Sequence, residues 1–291
     1  MRILVTGGGG QLADRVVAAG ITSGHDMISL PIEEMDITDA DQVQRGLGDT
    51  SPDLVFNAAG YTAVDRAENE EEAATRINGD GAGILAASCR EIGARMVHIS
   101  TDFVFPGSAT SPIRPYDTVE PISAYGRSKA IGEQRCVEVL GDSCLILRTA
   151  WLYGSGRSNF VATMIRLMRA QSEIAVVADQ TGTPTWVETL AVNSLRLVDR
   201  NASGMHHLTD SGVATWYEFA VAIRDIAGEI GLISSSCDVV PIETSEYPTP
   251  AQRPSYSVLD KSSTFEMLGD STPHWRTSLR RCLEDWSDPQ L

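Results

Sequence analysis

Five short apolar runs recur along the first half of the chain, each followed by enough sequence for a helix before the next begins. They are Arg2-Ile-Leu-Val5, Met27-Ile-Ser-Leu30, Asp53-Leu-Val-Phe-Asn57, Met96-Val-His-Ile99 and Cys144-Leu-Ile-Leu-Arg148. Near-continuous apolar runs suit strands covered on both faces, and helices between them suit parallel crossovers. The pattern predicts an α/β fold, a Rossmann-like doubly wound parallel sheet. Such sheets place their chemistry at the carboxyl ends of the strands, so the residues just after each run carry the functional information.

The first run leads into Thr6-Gly-Gly-Gly-Gly-Gln-Leu-Ala13. A glycine turn between strand and helix lets backbone N–H groups and a helix N-terminus approach a pyrophosphate. Two registers fit, Gly7-x-x-Gly10-x-x-Ala13 and Gly8-x-Gly10-x-x-Ala13. After the second run come Glu33, Glu34 and Asp36, acids of the kind that hold adenosine ribose hydroxyls. No Arg stands among them to accept a 2′-phosphate, which favours NADH, while Arg15 on the preceding helix keeps NADPH open. The third run ends in Ala58-Ala59-Gly60, small residues suited to a backbone passing close to a cofactor. An acidic helix with Glu68 to Glu72 follows and reads as a solvated face, with Asn78 further along it. The fourth run delivers Ser100-Thr-Asp-Phe103, where a hydroxyl can hydrogen-bond a substrate carbonyl.

Ser123-Ala-Tyr-Gly-Arg-Ser-Lys129 sets Tyr125 and Lys129 four apart, on one face of a helix. An ammonium beside a phenol stabilises the phenolate, and a hydroxyl so tuned can give or take a proton near neutrality. The chain has only two Lys, Lys129 and Lys261, among 23 basic side chains, so Arg supplies nearly every plain positive charge. A Lys kept at 129 points to a need for a compact amine. A carbonyl receiving a hydride needs a proton donor of this kind.

A net charge of −16 and a pI near 4.7 argue against nucleic acid or an anionic membrane as partner. The five Cys are widely spread without a C-x-x-C, which indicates neither a disulfide framework nor a zinc site, and His206-His207 fits a strand. The N-terminal apolar run is too short for a signal peptide, and no stretch has the length of a membrane span, so the cytoplasm is the expected location. Beyond Trp151 the pattern loosens into loop-rich segments, 154–158, 179–184 and 246–254, between shorter helices. Residues 1–150 therefore read as the nucleotide-binding domain and 151–291 mainly as a smaller substrate-binding lobe. A segment near 185–210 is expected to pack back onto the first domain, and the terminal 287–291 to fray.

Taken together the chain resembles the extended short-chain dehydrogenase/reductases, and within them the dTDP-4-dehydrorhamnose reductase family. The likeness runs through Gly7-x-x-Gly10-Gln11-Leu12, Met35-Asp36-Ile37-Thr-Asp39, Asn57-Ala58-Ala59-Gly60-Tyr61-Thr-Ala-Val-Asp65 and Ser100-Thr-Asp-Phe-Val-Phe-Pro-Gly107. It continues through Tyr125-Gly-Arg-Ser-Lys129, Arg148-Thr-Ala-Trp-Leu-Tyr-Gly154, Asn159-Phe-Val161, Asp179-Gln-Thr-Gly-Thr-Pro-Thr185, Trp216-Tyr-Glu-Phe219 and Arg253-Pro254. The resemblance implies reduction by NADPH or NADH of the 4-keto group of a dTDP-4-keto-6-deoxy-L-hexose, giving dTDP-L-rhamnose, by a monomer or homodimer.

By the same likeness Tyr125 donates the proton, Lys129 lowers its pKa and holds the nicotinamide ribose, and Thr101 polarises the ketone. Gly7, Gly10, Gln11, Leu12, Asp36, Ile37, Ala58, Ala59, Gly60 and Tyr61 would join Tyr125 and Lys129 around the cofactor. Thr101, Asp102, Phe103, Trp151, Asn159 and Arg253 would contact the sugar nucleotide, with Arg253 on the diphosphate. The family usually has Tyr where this chain has Phe103, which leaves the hexose open to a streptose or 6-deoxytalose type. Some members bind magnesium at a dimer interface; those carboxylates do not map here, so no metal is expected. A 4,6-dehydratase would need Asp-Glu after Thr101, where this chain has Asp102-Phe103. An epimerase would use the same Tyr and Lys, and a non-catalytic subunit resembling the regulatory subunit of methionine adenosyltransferase would keep the fold without turnover.

Overall fold

A computed structural model describes residues 1–156, 158–233 and 237–286. Arg157, in the loop read at 154–158, and the terminal 287–291 lie outside these. The first half alternates strand and helix: β1 (Arg2–Thr6), α1 (Gln11–Thr22), β2 (Asp26–Leu30), α2 (Ala40–Thr50) and β3 (Leu54–Asn57). Two short helices, α3 (Val64–Ala67) and α4 (Glu71–Thr75), lead through a π-helical turn, Arg76–Gly81, into α5 (Ala82–Ile92). Then come β4 (Arg95–Thr101), α6 (Ala124–Leu140) and β5 (Cys144–Thr149).

The sixth strand of the sheet arrives much later. After β6 (Leu152–Tyr153), α7 (Phe160–Ala170), β7 (Glu173–Val177), β8 (Thr181–Gly182), β9 (Thr185–Trp186) and α8 (Val187–Asp199), β10 (Gly204–His207) pairs with β5. The sheet order is β10-β5-β4-β3-β1-β2, every neighbour parallel. Chain direction across the sheet reverses between β1 and β3, the switch point where open α/β sheets form a crevice. The remaining elements are β11 (Ala214–Thr215), α9 (Trp216–Glu229), β12 (Asp238–Ile242), α10 (Ser262–Leu268) and α11 (Trp275–Glu284).

Side-chain alternation along each strand builds a core on both faces of the sheet. Ile3, Val5, Leu54, Phe56, Leu145 and Leu147 face α1 and α8, while Leu4, Val55, Met96 and Ile146 face α2, α5 and α6. This is why these strands read as continuous apolar runs. A third packing centre gathers Val161 and Ile165 of α7, Phe219 and Ile223 of α9 and Leu279 of α11. Burying a side chain of this size contributes about 1.5–3 kcal/mol.

Helix starts are set by side chains that satisfy the free N–H groups of the first turn. Asp39 accepts from Asp41 and Gln42, Ser123 from Gly126, and Thr215 forms a capping box with Glu218. The acid run is solvated as expected, with Glu71 and Glu72 exposed, but three of its carboxylates are also engaged. Glu68 accepts the Ala124 N–H at 2.8 Å, Glu71 pairs with Arg127 at 2.7 and 3.0 Å, and Glu70 takes Arg66 and the Tyr61 hydroxyl. Glu68 and Glu71 dock the 61–75 segment onto the first turn of α6, where a carboxylate also suits the helix dipole. Among the described residues no helix is long and apolar enough to cross a membrane.

Candidate active site

The crevice at the switch point is about 1040 Å³, room for a dinucleotide and a second ligand. Its first wall is the glycine turn. Gly7, at φ 70°, lies so close to the β3 loop that a Cβ there would sit 2.9 Å from Ala59 Cα. Gly10 starts α1 and offers no capping side chain, so the helix begins at the crevice with its first N–H groups uncapped by its N-cap residue. That is the arrangement a pyrophosphate fits. Gly7, Gly10, Gln11 and Leu12 line this end, with Asp36 and Ile37 beyond them and Ala58, Ala59, Gly60 and Tyr61 opposite. Glu33 and Glu34 are exposed outside it, and Asp36 Oδ1 accepts the Thr38 N–H and hydroxyl, each at 2.9 Å. Arg15 turns away to Glu188, 3.7 Å distant.

The floor is made by the ends of β4 and β5 and by α6. Gly132 lets α6 cross the π turn closely, since a Cβ there would fall 2.2 Å from the Asn78 carbonyl oxygen. The crossing brings Asn78 against both Ser128 and Tyr61. Asn78 Oδ1 accepts the Tyr61 N–H at 2.8 Å, and its Nδ2 donates to Tyr61 O at 3.0 Å and Ser128 Oγ at 2.9 Å. A side-chain amide thus fixes the loop Ala58–Tyr61. A π turn inserted in a helix frequently marks a functional site, but nothing in the sequence spacing assigns Asn78 this task.

Thr101, Tyr125 and Lys129 converge on this floor. Thr101 accepts the Phe103 N–H at 3.2 Å and donates to Asp102 Oδ1 at 3.0 Å, beside the Tyr125 phenol in the crevice lining. Phe103 meets the Tyr125 ring edge-on at 5.6 Å between centroids. Burial pushes the Tyr125 phenol up to about 12, with Thr101 opposing and Asp102 reinforcing the shift. The Tyr–Lys spacing alone predicts a lowered phenol; in the structure burial raises it instead, and the opposing pull comes from Thr101 and not from Lys129. Burial brings the Lys129 amine down to about 8, against the pull of Glu133 and Cys136, and Nζ donates to Ile99 O at 2.6 Å. Asp102 is raised by burial to about 6, with Ser257 and Thr101 hydrogen bonds holding it back. Ser100 Oγ and Thr149 Oγ1, buried in the same floor, have no hydrogen-bond partner among the described residues and can meet a ligand.

The far wall comes from the second half of the chain. Trp151 takes a left-handed backbone, φ 48°, a strain of about 1–3 kcal/mol that concentrates at functional sites. Its indole stacks on Trp216 at 3.6 Å and 8°. Asn159 caps α7 and donates to Gln11 Oε1 at 3.2 Å, joining this wall to the glycine turn. Arg253 also lines the crevice, but its guanidinium donates to both Asp65 oxygens, at 3.0 and 2.8 Å, and to Ala251 O. The cation expected for a diphosphate is therefore already paired. All eighteen residues expected from the sequence line one crevice; Asn78, Ser100, Thr149 and Trp216 line it too and had no assigned place.

Comparison with known proteins bears on the chemistry. Residues 1–287 match the family described as RmlD substrate binding domain. A spore coat polysaccharide biosynthesis protein, SpsK, of Bacillus subtilis is 40% identical over 98% of each chain. A dTDP-4-dehydrorhamnose reductase of Burkholderia thailandensis is 38% identical over 98% of this chain and 99% of its own. The crystal structure of a dTDP-4-dehydrorhamnose reductase from Bacillus anthracis in complex with NADP superposes with a TM-score of 0.91 at 35% identity, covering 98% of this chain and 99% of that one.

Proposed function

The chain belongs to the RmlD substrate binding domain family, and on that premise we propose that it is an NAD(P)H-dependent dTDP-4-dehydrorhamnose reductase, forming dTDP-L-rhamnose from the 4-keto sugar. The observation that carries this reading is the meeting of Thr101, Tyr125 and Lys129 on the floor of a crevice whose other end is an uncapped glycine turn. When bound, the nicotinamide supplies the hydride. The residues of the chain supply position and protons. Uncapped N–H groups of α1 and the loop held by Asn78 suit the dinucleotide, and Asp36 its adenosine end. Thr101 and Tyr125 are placed to hydrogen-bond one ketone oxygen, and the Tyr125 hydroxyl gives its proton to that oxygen as negative charge develops. A phenol pushed up to about 12 is fully protonated at neutral pH and ready to donate. Lys129, through its ammonium, eases that transfer and orients the nicotinamide ribose. Asp102, Phe103, Trp151 and Asn159 face the sugar, and Arg253 faces the diphosphate from its pairing with Asp65.

The test is NADH and NADPH oxidation at saturating dTDP-4-keto-L-rhamnose, with the product identified by NMR. Turnover to dTDP-L-rhamnose is expected, and the ratio of rates reads the cofactor preference. Cofactor binding without turnover would overturn this substrate and turn attention to another 4-keto deoxysugar. A monomer or homodimer is the proposed assembly, read by light scattering, with the cytoplasm as proposed location.

A further inference from the structure

Arg148 takes no part in the chemistry above, yet it is one of the largest fully buried side chains, 2% exposed. Its Nε and Nη2 donate to the two oxygens of buried Glu133 at 2.8 and 2.6 Å. Nη1 donates to Pro115 O at 2.8 Å, and the guanidinium lies 4.8 Å over the Phe105 ring. A buried ion pair is weak support for a fold, because apolar side chains of the same volume often serve as well or better. Its place in the molecule suggests another use. Glu133 stands one turn after Lys129 on the same face of α6. Lys129 spends one N–H on Ile99 O and lines the crevice. A Glu133 with free oxygens would be an anion one helical turn away, able to draw that amine down the helix and out of the crevice.

We infer that Arg148 is a positioning residue for the reaction: by occupying both oxygens of Glu133 it leaves the Lys129 ammonium directed into the crevice. This rests on the role proposed for Lys129. The groups that face Lys129 are Glu133 and Cys136 on its own helix and His98 of β4, with Asn78 and Tyr125 beside it in the crevice lining. Glu133 is the carboxylate among them, and Arg148 is the side chain that balances it.

The experiment uses the full chain labelled with [13C]lysine. Two lysines give two side-chain signals, and Lys261→Arg assigns them. In Arg148→Met the Lys129 signal should titrate about 1–3 pH units higher, as expected for an amine gaining an unbalanced carboxylate. In that variant kcat should fall about tenfold or more with little change in KM for the sugar. Because Arg148→Met strands a buried charge and stands to lose the fold, Glu133→Gln/Arg148→Met carries the test as well. It removes both charges, which such sites tolerate, and its Lys129 should titrate back near the native midpoint, with kcat returning toward the native value. An unmoved Lys129 midpoint in folded Arg148→Met, or a double variant that titrates as high as Arg148→Met does, overturns the inference. The titration needs no turnover, so failure of the proposed reaction is read separately from failure of the positioning role.

Discussion

Asn78→Ala isolates the contribution of the amide that ties the π turn to the Ala58–Tyr61 loop. The side chain is 2% exposed and makes three hydrogen bonds, two of them to the main chain of Tyr61. Truncation strands the Tyr61 N–H and C=O and leaves the Ser128 hydroxyl with its bond to Tyr125 O alone. Each stranded, partly buried partner costs about 1 kcal/mol or somewhat more, which sums to roughly 2–4 kcal/mol. Urea unfolding should show that loss as a lower midpoint with an unchanged slope. The same loop lines the dinucleotide end of the crevice, so loosening it should also weaken NADPH binding about tenfold, equivalent to ~1.4 kcal/mol, measured by tryptophan fluorescence titration. A variant within about 0.5 kcal/mol of the native protein, with unchanged cofactor affinity, would refute the claim that Asn78 fixes this loop.

Three further perturbations address the site directly. Tyr125→Phe should lower kcat by about 10² or more while cofactor binding persists; near-native turnover would remove Tyr125 from its proposed role. Asp102→Asn tests burial of the carboxyl, which raises its pKa from 3.8 to about 6. The stability this neutral carboxyl carries is present below pH ~4 and is lost as pH rises through about 6, to the extent of about 3 kcal/mol. The Asn variant should therefore gain thermal stability over the native chain between those pH values and hold the gain above them; a pH-independent difference counts against it. Asp65→Asn releases the Arg253 guanidinium from its carboxylate partner, and dTDP should then bind about 2- to 10-fold more tightly by calorimetry. Weaker dTDP binding would show that Arg253 serves the fold and not the diphosphate.

Much of the fold is legible because buried parallel strands leave continuous apolar runs. The runs at 2–5, 27–30, 53–57, 96–99 and 144–148 each supply a strand of the sheet, the third of them from Leu54, and β10 contains His206 and His207. Strand order is not legible, since a run such as Leu54–Asn57 carries no mark of which neighbour it pairs. The reactive trio is legible through chemistry, as rare Lys and a Tyr one turn away stand out against an Arg-rich background. Contacts made across the chain are not. Nothing local to Glu68 shows that its carboxylate will meet the N-terminus of a helix more than fifty residues later, and a run of acids ordinarily faces water. Arg253 was visible as a cation, but Asp65, which neutralises it, lies 188 positions away. Asn78 is silent for the same reason, because its three partners come from two segments that only the close crossing at Gly132 brings together.

The late arrival of β10 has a consequence for synthesis on the ribosome. Strand β5 is buried along its whole length and in the finished protein has β4 on one side and β10 on the other. As the chain emerges, β5 appears well before Gly204, and at ~5–20 residues per second the gap of some fifty-five residues lasts roughly 3–11 s. For that interval Cys144-Leu-Ile-Leu-Arg-Thr149 presents a bare apolar edge of the kind that recruits other strands. Nascent chains of this protein should therefore be most vulnerable to aggregation, and most dependent on holding chaperones, while residues 150–203 are being made.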